Sequence, residues 1–165
     1  MILFDDDTLD AAADVLAACR AKGLKLATAE SCTGGLIAGM LTAVAGSSDV
    51  VERGFVTYTN EAKHEMLGVP QELFERVGAV SEDVARAMAE GAVRHSRADL
   101  AVSVTGIAGP GGATENKPVG LVHMACARDG RETVHLARVF DGDRAAVRAA
   151  TVRAALSLLK AMAAD

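Results

Sequence analysis

The sequence predicts an α/β fold: one domain over residues 1–165, with a mixed, mostly parallel sheet, one β-hairpin, and helices packed on both faces. Three observations predict it. Short apolar strand-like runs alternate with segments of helical periodicity in the order αβαβα…αβββα. Asp129-Gly130 joins two strand-like runs and marks a hairpin, which makes the sheet mixed. Half of the residues are hydrophobic, yet there are only four Phe, one Tyr and no Trp. A core of Ala, Val, Leu, Ile and Met suits helices on a sheet better than a β-sandwich.

The elements follow from local signals. Asp7 or Thr8 caps a first helix to about Lys22, with Leu9, Ala12, Ala13 and Leu16 on one face and Gly23 as its stop. Leu24 to Ala29 reads as a strand. After the loop at Ser31–Gly35, Leu36 to Val44 is apolar almost all round, as in a buried helix. Ala45-Gly46-Ser47-Ser48-Asp49 breaks it, and a serine there caps a short helix through Arg53. Phe55 to Tyr58 is the second strand. Asn60 caps a helix that carries Lys63 and stops near Gly68. Pro70 suits the first turn of another short helix, and Ser81 caps a longer one through about His95. Leu100 to Val104 is the third strand, followed by a long glycine-rich loop from Thr105 to Pro118. Val119 to Ala127 and Thr133 to Phe140 form the hairpin, and a last helix runs from about Arg144 to Met162.

Composition narrows the function. The formal net charge of −5 argues against a nucleic-acid surface and against an anionic membrane surface. It leaves room for an anionic small ligand. No apolar run approaches a membrane span, and the N-terminus lacks the basic region of a leader, so the expected location is cytoplasmic. Cys19, Cys32 and Cys126 read as reduced, buried thiols, although Cys32 sits beside a key serine. His64, His95, His123 and His135 have no ligand spacing, and no metal site or cofactor is expected.

In open α/β sheets, ligands bind beyond the carboxyl ends of the strands. Three strands here end in small polar residues: Ser31 to Thr33, Tyr58 to Asn60, and Thr105-Gly106. Parallel strands would bring all three to one rim. Thr33-Gly34-Gly35 lets backbone approach a ligand, and the next helix offers N–H donors to an anion or oxyanion. A plain strand-to-helix turn would use the same glycines. Lys63 in the first turn of its helix is disfavoured as a cation, and burial would lower its pKa further. A neutral lysine can take a proton from a serine hydroxyl, with Tyr58 to relay or orient it. Both Ser31 and Ser48 are open as nucleophile: topology alone prefers Ser31, whereas Ser48 needs a fold-back or a subunit boundary. Thr105 and Gly106 are candidates for an oxyanion donor or a ribose contact, and Arg144 for a carboxylate or phosphate. Lys117 is followed by Pro118, so the glycine loop is no Walker A loop.

Several motifs occur in fixed order: Ala29-Glu30-Ser31-Cys32-Thr33-Gly34-Gly35, Gly46-Ser47-Ser48, Gly54-Phe55-Val56-Thr57-Tyr58, Asn60-Glu61-Ala62-Lys63, Gly78-Ala79-Val80-Ser81, Thr105-Gly106-Ile107-Ala108-Gly109-Pro110, Lys117-Pro118-Val119-Gly120 and Gly142-Asp143-Arg144. Together they resemble the CinA C-terminal domain family, whose enzymatic members are nicotinamide-nucleotide amidases. The resemblance implies hydrolysis of the carboxamide of nicotinamide mononucleotide to nicotinate mononucleotide and ammonia, by a serine–lysine mechanism without metal. It implies catalytic or binding roles for Ser31, Ser48, Tyr58, Lys63, Thr105 and Arg144. Many relatives carry a further N-terminal domain, so this chain resembles the stand-alone form. A homodimer is expected, because Ala- and Val-rich helices leave apolar surface to cover and because family members often self-associate. The alternatives are a non-catalytic nucleotide-binding regulatory module and a metal-dependent phosphotransferase using the glycine loop.

Overall fold

A computed structural model of the chain describes residues 5–165. Residues 1–4, which entered the reading for a leader, lie outside the described residues. Five strands and six helices build one α/β domain: α1 (Asp6–Ala21), β1 (Leu26–Glu30), α2 (Leu36–Thr42), β2 (Val51–Val56), α3 (Asn60–Leu67), α4 (Gln71–Arg76), α5 (Glu82–Arg94), β3 (Leu100–Gly106), β4 (Leu121–Arg128), β5 (Val134–Val139) and α6 (Arg144–Ala164). The sheet order is β2-β1-β3-β4-β5. β1 is parallel to β2 and β3, while β4 is antiparallel to both β3 and β5, so only β4 runs against the others.

Alternate residues of each strand enter opposite layers. Leu26, Leu100, Val102, Val104, Val122, Met124 and Cys126 face α1, α2 and α6. Ala27, Ala29 and Ala101 face the other layer, where Leu67, Leu73, Val84 and Met88 from α3, α4 and α5 cover them. The loop after β1 therefore leaves toward one face and the loop after β2 toward the other. Such a divergence opens a crevice at the carboxyl ends of the strands.

Several boundaries differ from the sequence reading, and three of the differences have a clear local reason. The cap of α1 is Asp5, whose carboxylate accepts from the N–H and the hydroxyl of Thr8 at 2.8 Å each. Ser47–Asp49 makes only a 3₁₀ turn, and the segment read as helix through Arg53 joins β2 instead. This is an edge strand with one solvent-facing side, so Glu52, Arg53 and Gly54 obscure its periodicity. Thr57 and Tyr58 consequently lie beyond the strand. The cap of α3 is Thr59, which accepts from the Ala62 N–H at 3.0 Å, and Asn60 becomes the first helical residue. At Ser81 and Asp129-Gly130 the local signals act as read: the serine caps α5 and the dipeptide turns the hairpin. Asp143 caps α6 by accepting from the Ala146 N–H at 2.9 Å.

One glycine sets the seat of α3. A Cβ on Gly91 of α5 would lie 2.0 Å from the Leu67 carbonyl oxygen, so only glycine lets the end of α3 approach so closely. Helix propensity alone would favour alanine by about 1 kcal/mol. Overpacking should reverse that sign: Gly91→Ala is expected to lower the unfolding free energy by about 1–3 kcal/mol, read from urea denaturation at neutral pH.

Candidate active site

The nucleophile candidate Ser31 follows β1 directly and is only 9% exposed. Its N–H donates to the Val104 carbonyl of β3 at 3.1 Å, and the Thr57 N–H after β2 donates to the Glu30 carbonyl at 2.9 Å. Ser31 is thus tied between the ends of two neighbouring strands. Lys63 comes to it from α3. Its side chain is 1% exposed, and Nζ lies 3.0 Å from Ser31 Oγ. The same amine donates to the carbonyls of Thr57 at 2.9 Å and Tyr58 at 3.1 Å.

This arrangement suits a neutral amine. An uncharged amine has two N–H bonds and one lone pair. The two carbonyls take the N–H bonds, which leaves the lone pair for the Ser31 hydroxyl proton. Burial is the main cause that pushes the Lys63 pKa down from 10.5 to about 8. Cys32 beside it is buried too, and desolvation raises its thiol to about 11, so it stays protonated near neutral pH. That makes the sulfur a poor nucleophile here.

The turn from Ser31 to Gly35 holds a finding that the sequence reading missed. Glu30 is fully buried, and its carboxylate accepts from the N–H groups of Ile37 at 2.9 Å and Ala38 at 3.1 Å and from the Thr33 hydroxyl. The amino end of α2, expected to serve a ligand, is therefore occupied by the protein's own carboxylate. Thr33, Gly34 and Gly35 stand behind Ser31 and do not line its cavity. Among the described residues, no oxygen accepts from the N–H of Cys32 or of Thr33. Those are the backbone donors left beside the serine.

A cavity of about 220 Å³ opens over the Ser31–Lys63 pair. Tyr58, Asn60, Ala79, Val80, Thr105, Gly106 and Arg144 contribute to its wall. The Thr105 hydroxyl donates to the Ala79 carbonyl at 2.9 Å, which pins one wall of the cavity to β3. Gly106 has a packing reason: a Cβ there would lie 2.6 Å from the Val122 side chain. Tyr58 reaches the site in two ways. Its carbonyl holds Lys63, while its phenol, on a side chain 59% exposed, accepts from Arg144 Nη2 at 3.1 Å. Arg144 also donates to the Gly109 carbonyl at 2.9 Å and borders a second cavity of about 470 Å³ with Pro110, Val119 and Gly142.

Ser48 is elsewhere. It is exposed in the 3₁₀ turn just before β2, and Val51 pairs with Leu26 at the start of β1. It therefore stands near the amino ends of the strands, opposite Ser31. Within one chain the fold brings together Ser31, Tyr58, Lys63, Thr105, Gly106 and Arg144, but not Ser48. Asn60 was read as a cap, yet it lines the cavity because Thr59 does the capping. Arg148 was not singled out, although it lies one helical turn from Arg144 on the same face.

The sequence profile of the CinA C-terminal domain matches residues 8–163. The chain belongs to the CinA C-terminal domain family. A CinA-like protein of Syntrophus aciditrophicus (strain SB) is 54% identical over 157 residues, covering 94% of this chain and 37% of that protein. A CinA-like protein of Geobacter sulfurreducens is 53% identical over 155 residues, with the same two coverages, 94% and 37%. The chain thus spans only about a third of the length of the curated relatives it matches. Among solved structures, the competence/damage inducible protein CihA from Agrobacterium tumefaciens superposes with a TM-score of 0.94 at 53% identity, over 98% of this chain and 99% of that one. The competence damage-inducible protein A (ComA) from Klebsiella pneumoniae gives 0.90 at 38% identity, over 93% and 95%. Among the described residues of this CinA domain, no helix is long and apolar enough to cross a membrane.

The buried amine has a signature in stability. Between pH 8 and 10.5 the unfolded chain keeps a proton on Lys63 that the native chain has lost, so native stability rises with pH across that window. The gain is at most about 3 kcal/mol. Cys19 and Cys32, raised to about 11, and Cys126, raised to about 12, pull the opposite way above pH 9. Comparison with Lys63→Met cancels the shared thiols: the wild type should gain stability on the variant from pH 8 to 10.5 in urea titrations, and parallel profiles would show an ordinary lysine.

Proposed function

We propose that the domain is an amidohydrolase acting on a linear carboxamide, with nicotinamide mononucleotide as substrate and nicotinate mononucleotide and ammonia as products. The observation that carries this reading is the buried Lys63 amine, 3.0 Å from Ser31 Oγ, at the floor of a cavity. Family membership supports the reaction class, since the resemblance drawn from the motifs is to amidases of this nucleotide.

The chemistry divides into two half-reactions. Ser31 Oγ attacks the carboxamide carbon while its proton passes to the Lys63 lone pair. The carbonyl oxygen becomes an oxyanion, for which the N–H groups of Cys32 and Thr33 are the free donors nearest the serine. The Lys63 ammonium then gives its proton to the leaving nitrogen, the C–N bond breaks, and ammonia departs. This leaves an ester on Ser31. A water molecule attacks the ester carbon, Lys63 takes its proton, and the acid is released as Ser31 recovers its hydrogen. Each half-reaction uses one base that is neutral at the start and again at the end.

The remaining residues fit binding. The pyridine carboxamide fits the cavity over the pair, with Asn60 and the Ala79–Val80 segment as its walls. Arg144 borders both cavities, which suits the anionic end of a mononucleotide. Tyr58 acts here as a mouth residue whose carbonyl orients Lys63; its phenol bonds Arg144 rather than the amine. We also propose a homodimer, consistent with exposed Val56 and Tyr58 at the end of the edge strand β2. Ser48 can join a site only through such a partner.

Ammonia release from nicotinamide mononucleotide tests the function, and EDTA should leave it intact. Its absence across neutral to alkaline pH would favour the regulatory nucleotide-binding module. Ser31→Ala and Lys63→Met should each lose at least ~10³-fold in kcat, by analogy with other activated serines. Ser48→Ala, measured separately, assigns the nucleophile: wild-type turnover there leaves Ser31 alone in that role. The base must be neutral, so kcat/KM should rise with pH through a midpoint of about 8. A profile flat from pH 6 to 10 would remove Lys63 from the base role.

A further inference from the structure

The Ser31 turn cannot hold its own shape. Gly34 and Gly35 follow with φ of +59° and +105°, and consecutive glycines leave the backbone permissive. The geometry must therefore be imposed from outside. Glu30 grips one side through the α2 amides and the Thr33 hydroxyl. The other side is gripped by α6, where Arg148 donates from Nε to the Cys32 carbonyl at 3.1 Å and from Nη2 to the Thr33 carbonyl at 3.3 Å.

We propose that Arg148 is a positioning residue for Ser31, holding the nucleophile turn in register with the Lys63 amine. The proposal rests on the serine–lysine reading given above. Three observations carry it. First, the carbonyls of Ser31, Cys32 and Thr33 are committed: Ser31 to the Gly34 N–H at 3.0 Å, Cys32 to Arg148, and Thr33 to both Arg148 and the Leu36 N–H. Because a trans peptide is planar, fixing the Cys32 carbonyl also fixes the Thr33 N–H on its opposite side. Second, the guanidinium packs directly against the turn: a Cβ on Gly34 would be in ordinary van der Waals contact with Arg148 Nη2, at 3.5 Å. Third, among the described residues no carboxylate pairs with Arg148, so its donors serve the turn rather than an ion pair. A cationic donor on these carbonyls also polarises the peptides and strengthens their N–H groups toward a developing oxyanion. Arg148 reaches the two carbonyls from two nitrogens held in one rigid plane, a geometry that the single nitrogen of a lysine at position 148 does not reproduce.

The test uses Arg148→Ala and Arg148→Lys in the whole chain. The first readout is the rate at which a fluorophosphonate labels Ser31, followed by mass spectrometry. The second is kcat and KM for ammonia release. Both variants should lose about 10²-fold in labelling rate and kcat, the loss typical of a reacting group displaced by about 1 Å, with KM little changed. The pH midpoint of labelling should stay at about 8, because burial sets it and Lys63 keeps its bonds to the Thr57 and Tyr58 carbonyls. Arg148 also borders a cavity of about 200 Å³ between α1, α2 and α6, with Thr8, Leu36 and Met40 in its wall. Guanidinium ion at millimolar concentration should therefore enter the alanine variant and restore part of the rate. Unchanged labelling in either variant, full activity in the lysine variant, or no rescue of the alanine variant would overturn the proposal. A wild type that is labelled at Ser31 but releases no ammonia would refute the substrate alone, with labelling still deciding the role of Arg148. A wild type not labelled at Ser31 would refute both.

Discussion

The burial of one amine governs the candidate site. A lysine that is 1% exposed cannot keep the hydration of an ammonium ion. It must either find a carboxylate or give up its proton. Here the partners of Nζ are two carbonyls and a serine hydroxyl, and no carboxylate bonds it among the described residues. Burial therefore lowers its pKa to about 8, which makes a neutral fraction available as a base close to physiological pH. Burying it costs stability below its pKa. A cost of that kind, kept at a strand end beside a serine, is what a chemical role would explain.

The fold is arranged around this constraint. β1 supplies Ser31, the turn after β2 supplies the carbonyls, and α3 supplies the amine, with no long connection among them. Small residues make the convergence feasible. Gly91 lets α3 seat against α5, and Gly106 lets β4 pass close to the site. The scarcity of large aromatic side chains in the sequence belongs to the same design: alanine-lined helices can sit close to the sheet and to each other.

Charge is distributed with similar economy. The Glu30 carboxylate and the Arg148 guanidinium lie on opposite sides of one turn, yet each bonds backbone rather than the other. Arg144, one helical turn before Arg148, faces the cavity mouth instead. A single helix thus presents one cation to the nucleophile turn and one toward the space where the anionic end of the proposed substrate would lie.

Much of this was legible in the residues themselves. Capping serine and aspartate, the Asp129-Gly130 turn and the apolar strands are local signals, and they determine the elements because the forces involved act within a few residues. The rim hypothesis also followed from residue types at strand ends, and Ser31, Tyr58, Lys63 and Thr105 do line one cavity, although Thr33 does not. What tertiary structure decided was partnership. Glu30 has no role in the sequence reading, and gains one only when its strand is buried and α2 needs an acceptor. Asn60 reads as a cap until Thr59 takes that place. Arg148 has no meaning in sequence, because its carbonyl partners lie more than a hundred residues away. The choice between the two serines belongs to the same class. The sequence leaves both Ser31 and Ser48 open, although topology prefers Ser31; the parallel strands place Ser31 at the carboxyl rim and Ser48, exposed in the 3₁₀ turn, at the amino end.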